Sequence, residues 1–293
     1  MKRFGKILIN ALVVVMLAVS CFGLVGCKKD IKTVELTISL YDYEHNKWYD
    51  ESEVAITVDL YRHLAPNTVD KMVEYVNEGY YDGAIFYKSK LKTGTLLSQV
   101  MFGDLKVDEH NQIVLNDIKP MIDGEFEYGN TKGSDLVNEK GSVGLWRTWN
   151  ADDDSNNDGF KTNASYDTGR ATWFMPEKAN SSYDKYFCVF GKLDLEDEST
   201  STGLDAIIDA FVEEETYQEY VIYYTGEYDY EKVNENFGLE YHCVLEEDFD
   251  ADEVEDLFEA EGDEYACYNY YTIQVPVTPQ GNFATVVKSV KII

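Results

Sequence analysis

The stretch that most constrains the fold is residues 185–193, with the sequence KYFCVFGKL. It is short, apolar and rich in aromatic and β-branched side chains, and Gly191 stands near its end. This composition is typical of a buried strand that closes at a tight turn. Two further apolar blocks precede it, GSVGLWR at 141–147 and ATWFM at 171–175. The three blocks predict successive buried strands in a mostly β domain.

The first 26 residues have the pattern of a lipoprotein signal peptide. Lys2, Arg3 and Lys6 precede an uncharged apolar run at 7–25, and LVGC at 24–27 has the form of a bacterial lipobox. The pattern predicts removal of residues 1–26, lipid attachment to Cys27 and a lipidated tether over 27–32. A single transmembrane anchor is the alternative, because the apolar run is almost long enough to span a bilayer. The folded domain is expected at 33–293.

Charge and composition exclude several classes of function. The formal net charge is −30, which repels nucleic acid, so we expect no nucleic-acid partner. The four histidines have no paired spacing, so we expect no metal site and no cofactor. Cys243 and Cys267 are the plausible disulfide pair in an exported chain.

The alternation of apolar residues predicts strands at 33–41 and 54–61. Pro66 starts a helix, for which Asn67 or Thr68 is the expected cap. A second helix is expected at 203–211. An acidic, Tyr-rich insertion follows at 212–278, before a last strand at 285–292. The insertion is interpreted as a solvated segment packed on the domain or, alternatively, as a partner-binding appendage.

The order of these blocks resembles that of a cyclophilin-type peptidyl-prolyl cis-trans isomerase. The matching segments are APNTV at 65–69, GYYDG at 79–83, GEF at 124–126, GSVGLWRT at 141–148, ATWFM at 171–175 and VFGK at 189–192. The resemblance covers about 54–208 and the strand at 285–292. It implies a closed antiparallel β-barrel capped by two helices, which leaves no sheet edge exposed.

The resemblance also assigns candidate site residues. Lys88 stands at the position of the family's arginine and Gln99 at that of its glutamine, so these two are the candidate catalytic residues. The expected substrate-binding residues share an apolar side chain or ring, and they are Phe86, Leu96, Leu97, Trp146, Phe174, Tyr183 and Phe187.

Six of these positions depart from the family pattern: Lys88, Leu96, Leu97, Trp146, Tyr183 and Phe187. Three of the changes matter most physically. Lys88 keeps a positive charge but lacks the planar fork of arginine. Trp146 replaces an alanine and could fill the groove that a peptide enters, and Phe187 replaces a histidine. The sequence therefore predicts a weak extracytoplasmic isomerase that acts on prolyl segments of exported proteins, lipid-anchored through Cys27 at the outer face of the bacterial cell membrane. The alternative is a non-catalytic surface lipoprotein that binds a protein partner.

The acidic run DDDSNNDG at 152–159 resembles the start of a calcium loop. Counted from Asp154, the twelfth position is Ser165, which cannot supply the expected carboxylate. An acidic surface loop is the favoured interpretation, with weak calcium binding as the alternative.

Overall fold

The computed structural model describes residues 30–51, 53–90, 96–126, 136–147, 169–225, 240–251 and 271–293. Two α-helices, α1 (Pro66–Asn77) and α2 (Glu198–Asp209), and two short 3-10 helices, Glu214–Thr216 and Glu246–Asp248, accompany the strands. The strands are β1 (Ile31–Asp42), β2 (Lys47–Trp48), β3 (Ile56–Tyr61), β4 (Lys88–Lys90), β5 (Gln99–Phe102), β6 (Leu105–Val107), β7 (Ile113–Leu115), β8 (Ser142–Leu145), β9 (Trp173–Pro176), β10 (Cys188–Leu193), β11 (Tyr217–Thr225), β12 (Glu240–Leu245), β13 (Tyr271–Pro276) and β14 (Thr285–Ile292).

The main sheet is antiparallel and curled into a half-barrel. Its strands follow the order β14-β1-β3-β10-β8-β9-β5, and β2 pairs with β1 at the side. Residues 84–87 add isolated bridges between Ile85 and Val286 and between Tyr87 and Met101. The strongly alternating burial along β1 and β3 lines the concave face with aliphatic side chains, which are at most 1% exposed: Val34, Leu36, Ile38, Leu40, Ile56, Val58 and Leu60. This face carries the first hydrophobic core.

Helix α1 packs its apolar stripe against this core. Val69, Met72 and Val76 are buried, as their spacing predicts. The expected cap is wrong, because Ala65 is the N-cap residue and makes no side-chain cap hydrogen bond. Instead, the two oxygens of the Glu125 carboxylate accept the backbone N–H groups of Asn67 at 2.9 Å and Thr68 at 2.8 Å. A carboxylate suits this position because the first turn of a helix carries unpaired donors and a partial positive charge.

Helix α2 begins before the expected 203–211 segment. It runs from Glu198 to Asp209, and the Asp197 carboxylate accepts the Thr200 backbone N–H at 2.8 Å. Gly203 lies inside the helix where the chain approaches β3 closely, since a Cβ atom there would lie 2.8 Å from the Val54 carbonyl oxygen. Leu204 is buried against the core as expected.

A second sheet has the order β12-β11-β13-β4. Three of its strands come from 212–278, and the fourth, β4, carries Lys88. Backbone pairing with β13 joins β4 to the other three strands. An ion pair between Lys90 of β4 and Glu219 of β11, at 2.9 Å, adds to this connection. Gln274 of β13 also donates to Glu219 at 2.8 Å. These contacts tie 212–278 to the strand of the candidate catalytic lysine.

A second hydrophobic core lies between this sheet and the opposite face of the main sheet. It joins Ile222 and Ile273 of the second sheet to Met101 of β5 and Phe174 of β9. A small sheet of β6 and β7 contributes Leu105 and further apolar side chains.

Some expectations fall outside the described residues: the signal peptide at 1–26, lipidation at Cys27, the acidic run at 152–159 and Cys267. Cys243 lies in β12 as a free cysteine, which contradicts the expected pairing with Cys267. Within the described ranges, no helix combines the length and apolar composition needed to cross a membrane.

Candidate active site

Four aromatic side chains form a contiguous cluster beside β8, β9 and β10. The rings of Trp146 and Phe187 stack with centroids 5.1 Å apart and an interplanar angle of 19°. Phe174 meets Phe187 edge-on at 5.3 Å and Trp146 at 5.9 Å. Tyr183 packs on Phe187 at 4.6 Å and contacts Phe174 at 6.1 Å. The structure thus brings together four residues that the sequence predicts to bind substrate.

Strand alternation explains why Phe174 faces this cluster. Trp173 and Met175 belong to the first core, whereas Phe174 points to the opposite face of β9. Gly144 lies opposite Phe174 in β8, and a Cβ atom at Gly144 would lie 2.3 Å from the Phe174 ring. The ring therefore occupies the space that a side chain at 144 would need. Phe174 is fully buried, with an exposed fraction of 0%.

Gln99 starts β5 and pairs with Pro176 of β9, two residues after Phe174 along the chain. It is 1% exposed, and its side-chain amide nitrogen has no hydrogen-bond partner within the described part of the chain. Burial raises the pKa of the Tyr183 hydroxyl. A buried amide donor without a partner has an unmet demand for an acceptor. A peptide carbonyl is an acceptor of the right kind.

Lys88 lies at the start of β4 and is 5% exposed. Its ammonium group forms an ion pair with Glu177, which directly follows β9. The same nitrogen lies 4.9 Å from the centroid of the Phe211 ring, close enough for a cation–π contact. The Lys88 ammonium group thus contacts a carboxylate and an aromatic ring, neither of which was predicted to be part of the site.

The other predicted site residues lie at different places. Phe86 is 0% exposed and belongs to the first core, where its ring is 4.8 Å from that of Phe102. The structure therefore does not bring Phe86 together with the aromatic cluster. Leu96 and Leu97 are partly buried in the connection to β5, with Leu96 bridged to Lys90 and the Leu97 N–H bonded to the Ser89 carbonyl oxygen.

Arg147 is a charged neighbour of the cluster that the sequence reasoning did not select. It is 3% exposed, and its guanidinium carbon lies 4.4 Å from the Phe126 ring centroid and 5.4 Å from that of Phe187. Its Nε group donates to the Tyr186 carbonyl oxygen, in the loop that carries Tyr183 and Phe187. The available signal was its place directly after Trp146. Arg147 thus packs against the cluster at Phe187 and is bonded to the loop that precedes it.

The described residues contain no group of three or more His, Cys, Asp or Glu side chains that could hold a metal ion. The side chains at the site offer hydrogen bonding, charge and apolar contact. Those are the means by which a rotation about a bond can be catalysed without making or breaking covalent bonds.

The sequence profile of the family described as cyclophilin type peptidyl-prolyl cis-trans isomerase/CLD matches residues 49–226. The chain belongs to this family. Its activity class is peptidyl-prolyl cis-trans isomerisation, which agrees with the resemblance found in the sequence. The match includes Lys88, Gln99 and all four residues of the aromatic cluster.

Two crystal structures of a Cryptosporidium parvum cyclophilin type peptidyl-prolyl cis-trans isomerase are similar to the chain. The first has 13% sequence identity and a TM-score of 0.36, and the match covers 60% of this chain and 84% of the other. The second, in the presence of the dipeptide Ala-Pro, has 13% identity and a TM-score of 0.35, with 59% and 85% covered. No curated protein matches the chain.

Proposed function

We propose that this cyclophilin-family chain is a weak extracytoplasmic isomerase, anchored by lipid at Cys27, that acts on prolyl bonds of exported proteins. The family supplies the reaction class. The proposal of weak catalysis rests on the burial of the two residues at the catalytic positions. Lys88 is 5% exposed and Gln99 is 1% exposed. In this proposal a substrate reaches Lys88 and Gln99 only after neighbouring side chains move.

The reaction needs a twisted amide to be stabilised. Rotation about the prolyl bond has a barrier of about 18–20 kcal/mol, because the C–N bond has partial double-bond character. In our proposal Phe174 and Phe187 provide an apolar surface for the proline ring. The free amide N–H of Gln99 donates to a substrate carbonyl oxygen. The Lys88 ammonium donates to the prolyl nitrogen, whose lone pair becomes available as conjugation is lost.

Two features reduce the rate in this proposal. Trp146 and Tyr183 are partly exposed and pack on the buried rings of Phe174 and Phe187, so they have to turn aside before a proline ring can enter. Lys88 also offers a compact point charge in place of the planar, bidentate guanidinium of arginine. The first feature weakens binding and the second weakens stabilisation of the twisted amide.

The cellular setting is argued from the N-terminal segment. A basic start, an apolar run and LVGC at 24–27 support export, lipid attachment at Cys27 and residence on the outer face of a bacterial membrane. Prolyl segments of unfolded exported chains are then the available substrates. We also propose that residues 84–87 close the half-barrel between β14 and β5, since they bridge to both strands.

The second candidate is a non-catalytic binding module. Two observations favour it: the Lys88 charge is already paired with Glu177, and the second sheet is attached directly to β4. In that case the altered site would be a remnant and residues 212–278 would bind the partner.

The deciding test measures prolyl isomerisation of a short Ala-Pro peptide by NMR exchange, with no coupling protease. The full chain in detergent is compared with Lys88→Ala and Trp146→Ala. We expect slow catalysis by the parent protein, a loss of about tenfold or more in Lys88→Ala, and a gain in Trp146→Ala because the groove is opened.

Each outcome separates the candidates. Catalysis that disappears in Lys88→Ala establishes a lysine-dependent isomerase. No catalysis in the parent with a gain in Trp146→Ala indicates a plugged site and supports the binding module. No catalysis in any of the three proteins removes the isomerase proposal.

A further inference from the structure

The ammonium group of Lys88 has an anionic partner with a defined position. The side chain of Lys88 is 7% exposed and that of Glu177 is 22% exposed, so solvent screens their ion pair less than it screens a surface pair. The Phe211 ring lies 4.9 Å away on another element, the turn that follows α2. A lysine side chain has four rotatable bonds, so contacts are needed to hold its ammonium group in one position.

The backbone of Glu177 is fixed against the segment that carries Gln99. The Glu177 N–H donates to the Ser98 carbonyl oxygen at 3.1 Å, and Pro176, one residue before, pairs with Gln99. Glu177 is thus attached to the start of β5 through the main chain. Its carboxylate is also the partner of the Lys88 ammonium group.

We propose that Glu177 is the positioning residue for Lys88 in prolyl isomerisation. Its carboxylate engages one face of the ammonium group, and the remaining N–H donors are kept oriented for the substrate amide. Arginine keeps its N–H donors oriented through its own planar guanidinium group. In this proposal the Glu177 carboxylate orients the Lys88 ammonium group instead. This inference rests on the proposed isomerase function.

Lys90 offers a matched comparison on the same strand. It forms an ion pair with Glu219 at 2.9 Å, and its side chain is 29% exposed. That pair links β4 to β11 of the second sheet and involves none of the candidate site residues. Loss of the Glu219 charge therefore disturbs β4 but leaves the Lys88–Glu177 ion pair in place.

The experiment compares Glu177→Gln with Glu219→Gln in the full chain in detergent, using NMR exchange on the Ala-Pro peptide. We expect Glu177→Gln to lower kcat about tenfold with KM nearly unchanged, because the lysine charge acts mainly on the twisted amide. Glu219→Gln should leave kcat within about twofold of the parent. Adding Lys88→Arg to Glu177→Gln should restore kcat, since the guanidinium is rigid without help.

A second readout does not depend on activity. Reductive methylation followed by mass spectrometry reports the accessibility of individual lysines. We expect Glu177→Gln to speed labelling of Lys88 but not of Lys90, and Glu219→Gln to do the reverse.

The outcomes distinguish the two proposals. If the parent is inactive, both the isomerase function and the role of Glu177 are overturned. If the parent is active but Glu177→Gln keeps its kcat, only the role of Glu177 is overturned. A higher kcat in Glu177→Gln also overturns it, since Glu177 would then withhold Lys88 from the substrate. If Glu177→Gln leaves the labelling rate of Lys88 unchanged, Glu177 does not hold the Lys88 side chain in position.

Discussion

Asp104 shows how burial changes the chemistry of a single carboxyl group. It is partly buried after β5, and the Tyr87 hydroxyl lies 2.9 Å from each of its two oxygens. Removal from water raises the pKa of Asp104 to about 6, although hydrogen bonds from Tyr87 and Thr172 act in the opposite direction. The nearby Tyr80 hydroxyl has a pKa raised above its ordinary value, so it stays neutral in this range.

The raised pKa predicts a specific pH dependence of stability. The ordinary value is 3.8, so between 3.8 and about 6 the folded protein binds more protons at this site than the unfolded chain. The stabilising contribution is fully present below pH 3.8 and is lost as the pH rises through about 6. Relative to Asp104→Asn, the parent should gain roughly 1–3 kcal/mol of unfolding free energy between neutral and acidic pH.

Urea denaturation of both proteins at several pH values measures this difference. The other carboxylates are common to the two proteins, so their titration cancels in the comparison. A difference in unfolding free energy that stays constant across this range would contradict the prediction.

At the scale of the element, α1 depends on a residue far away in the sequence. Glu125 is 5% exposed, and it accepts two N–H groups from the first turn of the helix. Glu125→Ala should lower the unfolding free energy by about 1–3 kcal/mol, because two backbone donors, of which that of Thr68 is buried, lose their acceptor. Glu125→Gln should recover part of the loss, since its amide oxygen can accept one bond. Thermal and urea denaturation provide the measurement.

Asp197→Ala is the matched control at the other helix. It removes the side-chain cap of α2, where Asp197 accepts the Thr200 N–H at 2.8 Å. The expected cost is smaller than for Glu125→Ala, because Asp197 is exposed and water can replace the acceptor. Equal stability of Glu125→Ala and the parent would exclude the capping role of Glu125.

The two helices also show what sequence patterns can predict. The apolar spacing of Val69, Met72 and Val76 correctly placed the buried face of α1, because a helical period is a local property. The cap was missed because Glu125 meets the helix only through tertiary folding. In α2, Gly203 was interpreted as the start of the helix, whereas it allows close contact with β3 within the helix.

In the candidate site, too, some features follow from local sequence patterns and others depend on tertiary contacts. The face of Phe174 follows from alternation along β9, which is also local. The side on which Phe86 lies could not be predicted, since it belongs to the unbroken apolar run AIFY at 84–87. The pairing of Lys88 with Glu177 depends on how β4 and the end of β9 come together, and no sequence spacing encodes it.

At the scale of the whole molecule, the net charge of −30 should influence which substrates bind. A strongly negative surface attracts cationic peptides and repels anionic ones. At about 0.01 M salt, where the Debye length is about 30 Å, kcat/KM should be higher for a prolyl peptide flanked by lysines than for one flanked by glutamates. At about 1 M salt, where the Debye length is about 3 Å, the two values should converge.

NMR exchange at both salt concentrations tests this expectation. A peptide flanked by serines is the neutral control, and its kcat/KM should change least with salt. A preference for the lysine peptide that persists at high salt would mean that short-range contacts, rather than the overall charge, select the substrate.

The pairing of β1 with β14 bears on how the protein is made. These strands lie near opposite ends of the described chain, and they pair along most of their length, from Val34 with Ile292 to Leu40 with Thr285. While the ribosome is still synthesising the chain, β1 has β3 on one side but has no partner on the other. The half-barrel is therefore completed only when β14 has emerged from the ribosome. Until then the chain remains partly unfolded, which is the state that the export proposed above would require.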